Sequence, residues 1–330
     1  MKRRKTLILT RKDIEKLVDM KSAVRCVEEA FRLYGQGKAQ MPAKIYLHLD
    51  KYNGDFRAMP AYLEGIEASA LKWVNVHPDN TSKGLPTVMA VMILSDPRTG
   101  FPLAIMDATY ITNLRTGAAG AVAAKYLARK DSAVIGLVGC GEQAKTQLLA
   151  LAQFFRIKEV KVWGNKREDI DRFLKTMKTS RYRMKGVPSV EACVRDCDIV
   201  VTTTPSRKPL VQLRWLKKGV HINAIGADAK GKEELEPAIL KKAKVVIDDW
   251  QQASHSGEIN VPFSRKIISR RDIYAEIAQI ALGRKKGRAS KEEITVFDST
   301  GLAIQDVAMA HLIFRLACKK RVGRSIDLLN

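Results

Sequence analysis

Gly139, Gly141 and Ala144 follow the apolar run Ala133–Val138 with the spacing G-x-G-x-x-A. In a strand–turn–helix setting the first glycine permits the turn and the second lets backbone approach a pyrophosphate. The small third residue lets helix and strand pack closely. The helix entered at Glu142 and Gln143 would offer unpaired N–H groups and a positive dipole end to phosphates. A plain glycine-rich βα turn is the competing reading. Elsewhere charge interrupts apolar stretches. Lys72 stands in Ala70-Leu71-Lys72-Trp73-Val74-Asn75-Val76, where burial would bring its pKa toward neutrality and suit it to proton transfer or imine chemistry. A snorkelling edge lysine is the alternative. Asp228 ends Ile222-Asn223-Ala224-Ile225-Gly226-Ala227-Asp228, at the C-terminal end of a sheet strand, where open α/β sheets place ligands. It suits a general acid/base or water-orienting role, in competition with a helix N-cap. Arg115, near the start of an Ala-rich helix, suits a carboxylate or phosphate. Lys44 and Arg57 flank strand-like runs, against a reading as ordinary exposed cations. One lysine, one aspartate and several cations facing a nicotinamide fit reversible hydride transfer to the imine of a 2-oxo acid.

The elements that must position these groups follow from periodicity. Thr6–Leu9 reads as a strand, Thr10-x-x-Asp13 as a capping box, and Asp19 as the N-cap of a helix with Ala23, Val27, Ala30, Phe31 and Tyr34 on one face. Strand-like runs follow at 44–49, 56–59, 68–76, 87–94 and 101–106, giving an α+β part with a mostly meandering sheet. Residues 113–129 read as a helix with a small-residue face. From Ala133 the chain alternates regularly. Strands are expected at 133–138, 159–163, 199–203, 221–225, 245–248 and 294–298. Helices are expected at 142–155, 167–177, 190–195, 234–240 and 272–282. That pattern argues a parallel, doubly wound sheet. A last helix, 302–319, is apolar enough to need a partner and is expected to return to the first part.

The chain has 330 residues, 46% of them hydrophobic, which suits two domains. No apolar run reaches the ~18–20 residues of a membrane span, and the basic start at 1–5 precedes too short an apolar run for a signal peptide. The five cysteines are odd in number and scattered, and Cys193-x-x-x-Cys197 lacks a second ligand pair, so reduced thiols, no metal site and a cytoplasmic location are expected. With 58 Lys and Arg against 35 Asp and Glu, the net charge is +23. The excess is dispersed and no nucleic-acid-binding motif accompanies it, so a solvated basic surface is expected, with no nucleic acid or membrane as partner.

Several further segments carry a resemblance. Gly37-Lys38-Ala39-Gln40-Met41-Pro42, Arg57-Ala58-Met59-Pro60, Leu71-Lys72-Trp73-Val74-Asn75, Gly84-Leu85-Pro86-Thr87 and Leu114-Arg115-Thr116-Gly117-Ala118 come in that order. Gly226-Ala227-Asp228, Gly257-Glu258 and the run Asp298–Asp306 follow. With these the chain resembles the ornithine cyclodeaminase/μ-crystallin family over its whole length, and within it the archaeal-type alanine dehydrogenase branch. The resemblance implies an α/β chain in which a Rossmann doubly wound parallel sheet, 119–303, is inserted in an α+β substrate-binding and dimerisation domain made of 1–118 and 304–330. It implies a homodimer. It gives Lys72 and Asp228 the catalytic roles, Lys44 and Arg57 places near the substrate, and Arg115 a contact with cofactor phosphates or substrate carboxylate. The expected cofactor contacts are Thr87, Arg115, Gly139, Gly141, Glu142, Gln143, Gly164, Asn165, Lys166, Arg167, Thr203, Thr204, Gly226, Ala227, Asp228 and Ser299.

The implied activity is oxidative deamination of L-alanine to pyruvate and ammonium with NAD or NADP. Alternatives are a reductase of the cyclic ketimines pyrroline- or piperideine-2-carboxylate, an ornithine cyclodeaminase, and a non-catalytic NADPH-binding crystallin-like protein. Arg57 would repel a cationic side chain, which disfavours ornithine. One departure concerns the cofactor. NAD-binding members carry an acid for the ribose about twenty residues past the glycine loop. Here the run is Val162-Trp163-Gly164-Asn165-Lys166-Arg167, which suits a 2′-phosphate and favours NADP or dual use.

Overall fold

The computed structural model describes residues 4–329; residues 1–3 of the basic N-terminal cluster, and residue 330, lie outside them. The chain divides into two compact units, Met1–Arg115 with Leu302–Asn330, and Thr116–Gly301, changing over slightly before 118/119 and 303/304.

The strands of the first unit are β1 (Thr6–Leu9), β2 (Ala39–Gln40), β3 (Ile45–Leu49), β4 (Gly54–Leu63), β5 (Ala68–Val76), β6 (Val88–Ser95) and β7 (Pro102–Asp107). With the C-terminal strand Arg324–Ile326 they form a sheet in the order Arg324–Ile326, β1, β7, β6, β5, β4, β2, and β3 also pairs with β4. The stretch β4–β7 meanders antiparallel, as the pattern suggested, whereas β1 lies parallel to β7. The run 56–59 is only the middle of β4, because the alternation of buried Arg57, Met59, Ala61 and Leu63 continues through Pro60. Thr10 forms the expected capping box, and Asp19 is the expected N-cap, with a capping box to Ser22 as well. The C-terminal helix Ala303–Lys320 packs on β4, β5, β6 and the helix Met20–Gly35.

In β5 the period of two sets Ala70, Lys72 and Val74 inward and Leu71 and Trp73 outward, so the strand buries its lysine and exposes its largest apolar groups. Register places Leu71 beside Ile93 and Trp73 beside Val91, and Ala58 links Trp73 to Ile45. Ile45, Leu71, Trp73, Val91 and Ile93 are all exposed.

The second unit contains β8 (Val134–Val138), β9 (Glu159–Trp163), β10 (Arg183–Gly186), β11 (Ile199–Thr202), β12 (Arg207–Val211), β13 (His221–Ala224), β14 (Glu233–Leu235), β15 (Lys244–Ile247), β16 (Ile273–Glu276) and β17 (Thr295–Asp298). Eight of these form one parallel sheet in the order β10-β9-β8-β11-β13-β17-β15-β16, with an apolar cluster on each face. This is the doubly wound Rossmann arrangement. Two expected helices are corrected. In 272–282 the β-branched and aromatic start Ile273-Tyr274 pairs as edge strand β16, and only Ile277–Ala281 is helical. In 234–240 Glu233–Leu235 pairs with β12, and the helix begins at Pro237, where a missing N–H costs nothing. The helix expected at 113–129 spans Thr109–Leu127. Its small face serves close packing, since a Cβ on Gly117 would run into the Thr146 carbonyl.

Candidate active site

Lys72 is fully buried on β5, between β4 and β6, which removes the edge-lysine reading. Its Nζ lies 2.6 Å from Asp306 Oδ2 and donates at 3.4 Å to Thr112 Oγ1. Burial pushes the Lys72 pKa down to about 7; the Asp306 carboxylate pulls upward, and the Arg115 and Lys44 cations push down. Arg115 Nε donates to Asp306 Oδ1 at 3.1 Å, and that guanidinium is buried too. The expectation that Arg115 sits near a helix start is corrected: the helix begins at Thr109, so Arg115 lies in its second turn, held by Asp306 rather than by the helix end.

Arg57, also buried, donates through Nε and one terminal nitrogen to Asp55, at 2.7 and 3.2 Å, and stacks over Tyr46. The argument that Arg57 repels a cationic substrate is therefore corrected, because Asp55 matches its charge. Lys44 is half-buried just before β3, and Thr87 half-buried just before β6. The first unit thus brings Lys72, Arg115, Thr112 and Asp306 into direct contact.

In the second unit the glycine loop has the geometry its spacing predicts. Gly139 takes φ +110°, and a Cβ there would lie 2.5 Å from Thr203 Oγ1. Gly141 caps the helix Glu142–Leu151 with no side chain bonded to the helix end, and nothing lies within 4 Å of a Cβ placed on it. Open space at a ten-residue helix N-terminus fits a dinucleotide phosphate. The buried Ser299 Oγ, which has no hydrogen-bond partner among the described residues, is a further polar atom a cofactor could satisfy. Gly164, directly after β9, lies against Cys140, and a Cβ there would come within 2.5 Å of its Sγ. Asn165, Lys166 and Arg167 follow, all exposed. Lys166 is the N-cap of the helix Arg167–Thr176, and Arg167 is paired with Asp171 at 3.1 Å on that helix.

Asp228 lies in the loop between β13 and β14 and caps no helix; its Oδ1 is 2.6 Å from Lys232 Nζ. Beneath that loop Glu234 accepts from Thr204 N and Oγ1 at 2.6 and 2.7 Å and from Gly226 N at 3.0 Å, tying two expected cofactor-contact segments together. Glu258 accepts from the Glu234 and Leu235 amides, and burial together with the neighbouring Glu234 raises its pKa well above the usual carboxylate range.

Asp306, Glu234 and Glu258 were missed as site residues. A signal existed for Asp306: it is the lone charged residue in the run Ala303–Ala310, and a lysine buried in a strand needs such a partner. Glu234 follows another glutamate in a polar run and carries no comparable signal.

Fold and site define a dinucleotide-binding chain with a separate, cation-rich acid/base cluster. Residues 4–321 match the ornithine cyclodeaminase/mu-crystallin family, and the chain belongs to it. It is 56% identical over 321 residues to an alanine dehydrogenase of Archaeoglobus fulgidus, covering 97% of this chain and 98% of that one. Among solved structures it is similar to an archaeal alanine dehydrogenase dimer with bound NAD, at 54% identity and TM-score 0.94, covering 98% and 100% of the two chains. It is also similar to a Thermococcus litoralis Δ1-pyrroline-2-carboxylate reductase in complex with NADH and L-proline, at 40% identity and TM-score 0.95, covering 97% and 100%. Among the described residues no helix is long and apolar enough to cross a membrane.

Proposed function

We propose that this chain is an NAD(P)-dependent alanine dehydrogenase, converting L-alanine, NAD(P)⁺ and water reversibly to pyruvate, ammonium, NAD(P)H and a proton. The observation that carries the chemistry is Lys72, buried beside Asp306 and Arg115 with a pKa near neutrality. The 56% identity to the Archaeoglobus enzyme supports alanine as substrate. A nicotinamide bound to this chain would supply the hydride acceptor, or in reverse the donor, for the substrate Cα. Lys72 Nζ holds the proton that the substrate nitrogen or the adding water exchanges. Asp228 is the second proton carrier, and Lys44, Arg57 and Arg115 bind the carboxylate. Gly139, Gly141 and the first amides after them would hold the pyrophosphate, and Asn165 and Lys166 would hold the adenosine ribose or its 2′-phosphate. The absence of an acid there supports NADP or dual use, although the two solved relatives carry NAD and NADH.

The exposed apolar face of β3, β5 and β6 supports a homodimer, as does the dimeric archaeal relative. The five free thiols agree with a cytoplasmic setting. A second reading, reduction of cyclic ketimines, is favoured by the 40% identity to the Thermococcus reductase. The deciding experiment follows NADH and NADPH oxidation by fluorescence with pyruvate plus ammonium and with each cyclic imine. Turnover of pyruvate and ammonium supports the dehydrogenase. Turnover of a cyclic imine alone replaces it with the reductase, and cofactor binding without any turnover leaves the crystallin-like alternative.

A further inference from the structure

One carboxylate serves two buried cations of the first unit, Lys72 and Arg115. Asp306 enters from the first turn of the helix Ala303–Lys320, with Oδ2 2.6 Å from Lys72 Nζ and Oδ1 3.1 Å from Arg115 Nε. The three side chains come from a strand and two helices far apart in sequence, and each is less than a tenth exposed. A purely structural buried network is expected to balance its charges, because unpaired charge in a low-dielectric interior is expensive. This one does not balance when Lys72 is protonated: two cations share one anion, with Lys44 close enough to push the Lys72 pKa down further. With Lys72 deprotonated, the Asp306–Arg115 pair is balanced. Burial brings the proton affinity of Lys72 near neutral pH, so the Lys72 proton moves the cluster between these two charge states.

We propose that Asp306 is a positioning residue of the proton-transfer site, fixing the Lys72 amine and the Arg115 guanidinium relative to one another through its two oxygens and thereby setting the proton affinity of Lys72. The inference rests on the proposed role of Lys72. The charged groups that act on Lys72 are Asp306 from the C-terminal helix, Arg115 from the helix Thr109–Leu127 and Lys44 before β3, while Arg57 on β4 is matched by Asp55. Opposite Lys72 on β6 stands Met92, which carries no charge. Asp306 is thus the anion in contact with Lys72, and its removal lowers the affinity of Lys72 for a proton. When Lys72 is protonated, the excess positive charge is the one a substrate carboxylate offsets, so anion binding and Lys72 protonation favour each other.

The test compares the wild-type protein with Asp306→Asn and Asp306→Glu. The titration of Lys72 is read directly from its ¹³Cε NMR signal in lysine-labelled protein, assigned with Lys72→Arg. In parallel, kcat, KM and NADH affinity are measured across pH. In Asp306→Asn the Lys72 midpoint is expected to fall by at least about one pH unit, a tenfold loss of proton affinity. Its kcat should drop at least about tenfold while NADH affinity stays within about twofold. Asp306→Glu, which keeps the charge and displaces it, should recover part of the proton affinity and part of kcat. An unchanged Lys72 midpoint in folded Asp306→Asn overturns the proposal; if that variant does not fold, an unchanged midpoint and kcat in Asp306→Glu do so. The NMR readout needs no turnover. A wild-type protein inactive on every substrate tested would refute the functional reading, while the Lys72 titration still decides the role of Asp306.

Discussion

If Lys72 is the proton carrier, its burial should appear as a reversal of pH dependence between the two reaction directions. At about pH 7.5 an ordinary lysine, with pKa 10.5, keeps about one unprotonated amine in a thousand. Lys72, lowered to about 7, keeps about three quarters of its population unprotonated at that pH. The fold therefore raises the concentration of usable base by almost a thousandfold without removing the acid form. In the deamination direction Lys72 must accept a proton, so kcat/KM for alanine should rise through a limb near pH 7. In the amination direction it must supply one, so the rate, expressed per free ammonia, should fall through the same limb. The perturbation that isolates the group is Lys72→Arg, which keeps a cation beside Asp306 and cannot lose its proton. It should lower kcat by about 10²–10⁴ and abolish the limb in both directions, with NADH affinity retained in a fluorescence titration. Stopped-flow or steady-state absorbance of the reduced nicotinamide across pH 5.5–10 measures all of this. A limb that survives Lys72→Arg, a wild-type inflection near 10.5, or limbs of the same sense in both directions would refute the reasoning.

Gly141→Val should leave the melting temperature within a few degrees, because nothing lies within 4 Å of the new Cβ, yet weaken NADH binding at least about tenfold by filling the space a pyrophosphate needs. Asn165→Asp with Lys166→Ala should move the ratio of kcat/KM for NADPH over NADH at least about tenfold toward NADH, since an acid there accepts from the ribose hydroxyl and repels a 2′-phosphate; an unmoved ratio would place cofactor choice elsewhere. Glu258 has its carboxyl pKa raised by burial and by Glu234, so its stabilising contribution is present below the unfolded value of 4.5 and is lost as pH rises through the folded pKa. Glu258→Gln removes that titration and should make the decline of denaturant midpoint as pH rises above 4.5 shallower than in the wild-type protein; an unchanged slope would show that Glu258 does not hold its proton when folded.

Local chemistry made much of the fold legible from the chain alone. The Thr10 and Asp19 caps, the meander β4–β7 and the alternation from β8 onward are written in residues a few positions apart, where propensity and period act. The glycine loop is legible for the same reason, since its function is a backbone shape encoded by consecutive residues. Reading failed where long-range pairing outweighed local preference. Ile273–Glu276 and Glu233–Leu235 became strands because neighbouring strands offered them partners, and the helix carrying Arg115 began four residues before its sequence pattern suggested.

By itself, then, the sequence determined the two kinds of unit, the phosphate-binding turn and the identity of the lysine that interrupts an apolar strand. Only the tertiary structure decided what that lysine does. An amine's proton affinity depends on the charges and solvent around it. Those come from Asp306, more than two hundred residues further along, from Arg115 on a helix, and from β4 and β6 closing over β5. The same holds for Arg57, whose type suggested repulsion of a cation until Asp55 was found holding it. Residue type is a local property and can be read along the chain; electrostatic environment is a sum over neighbours in space, and the chain acquires those neighbours only by folding.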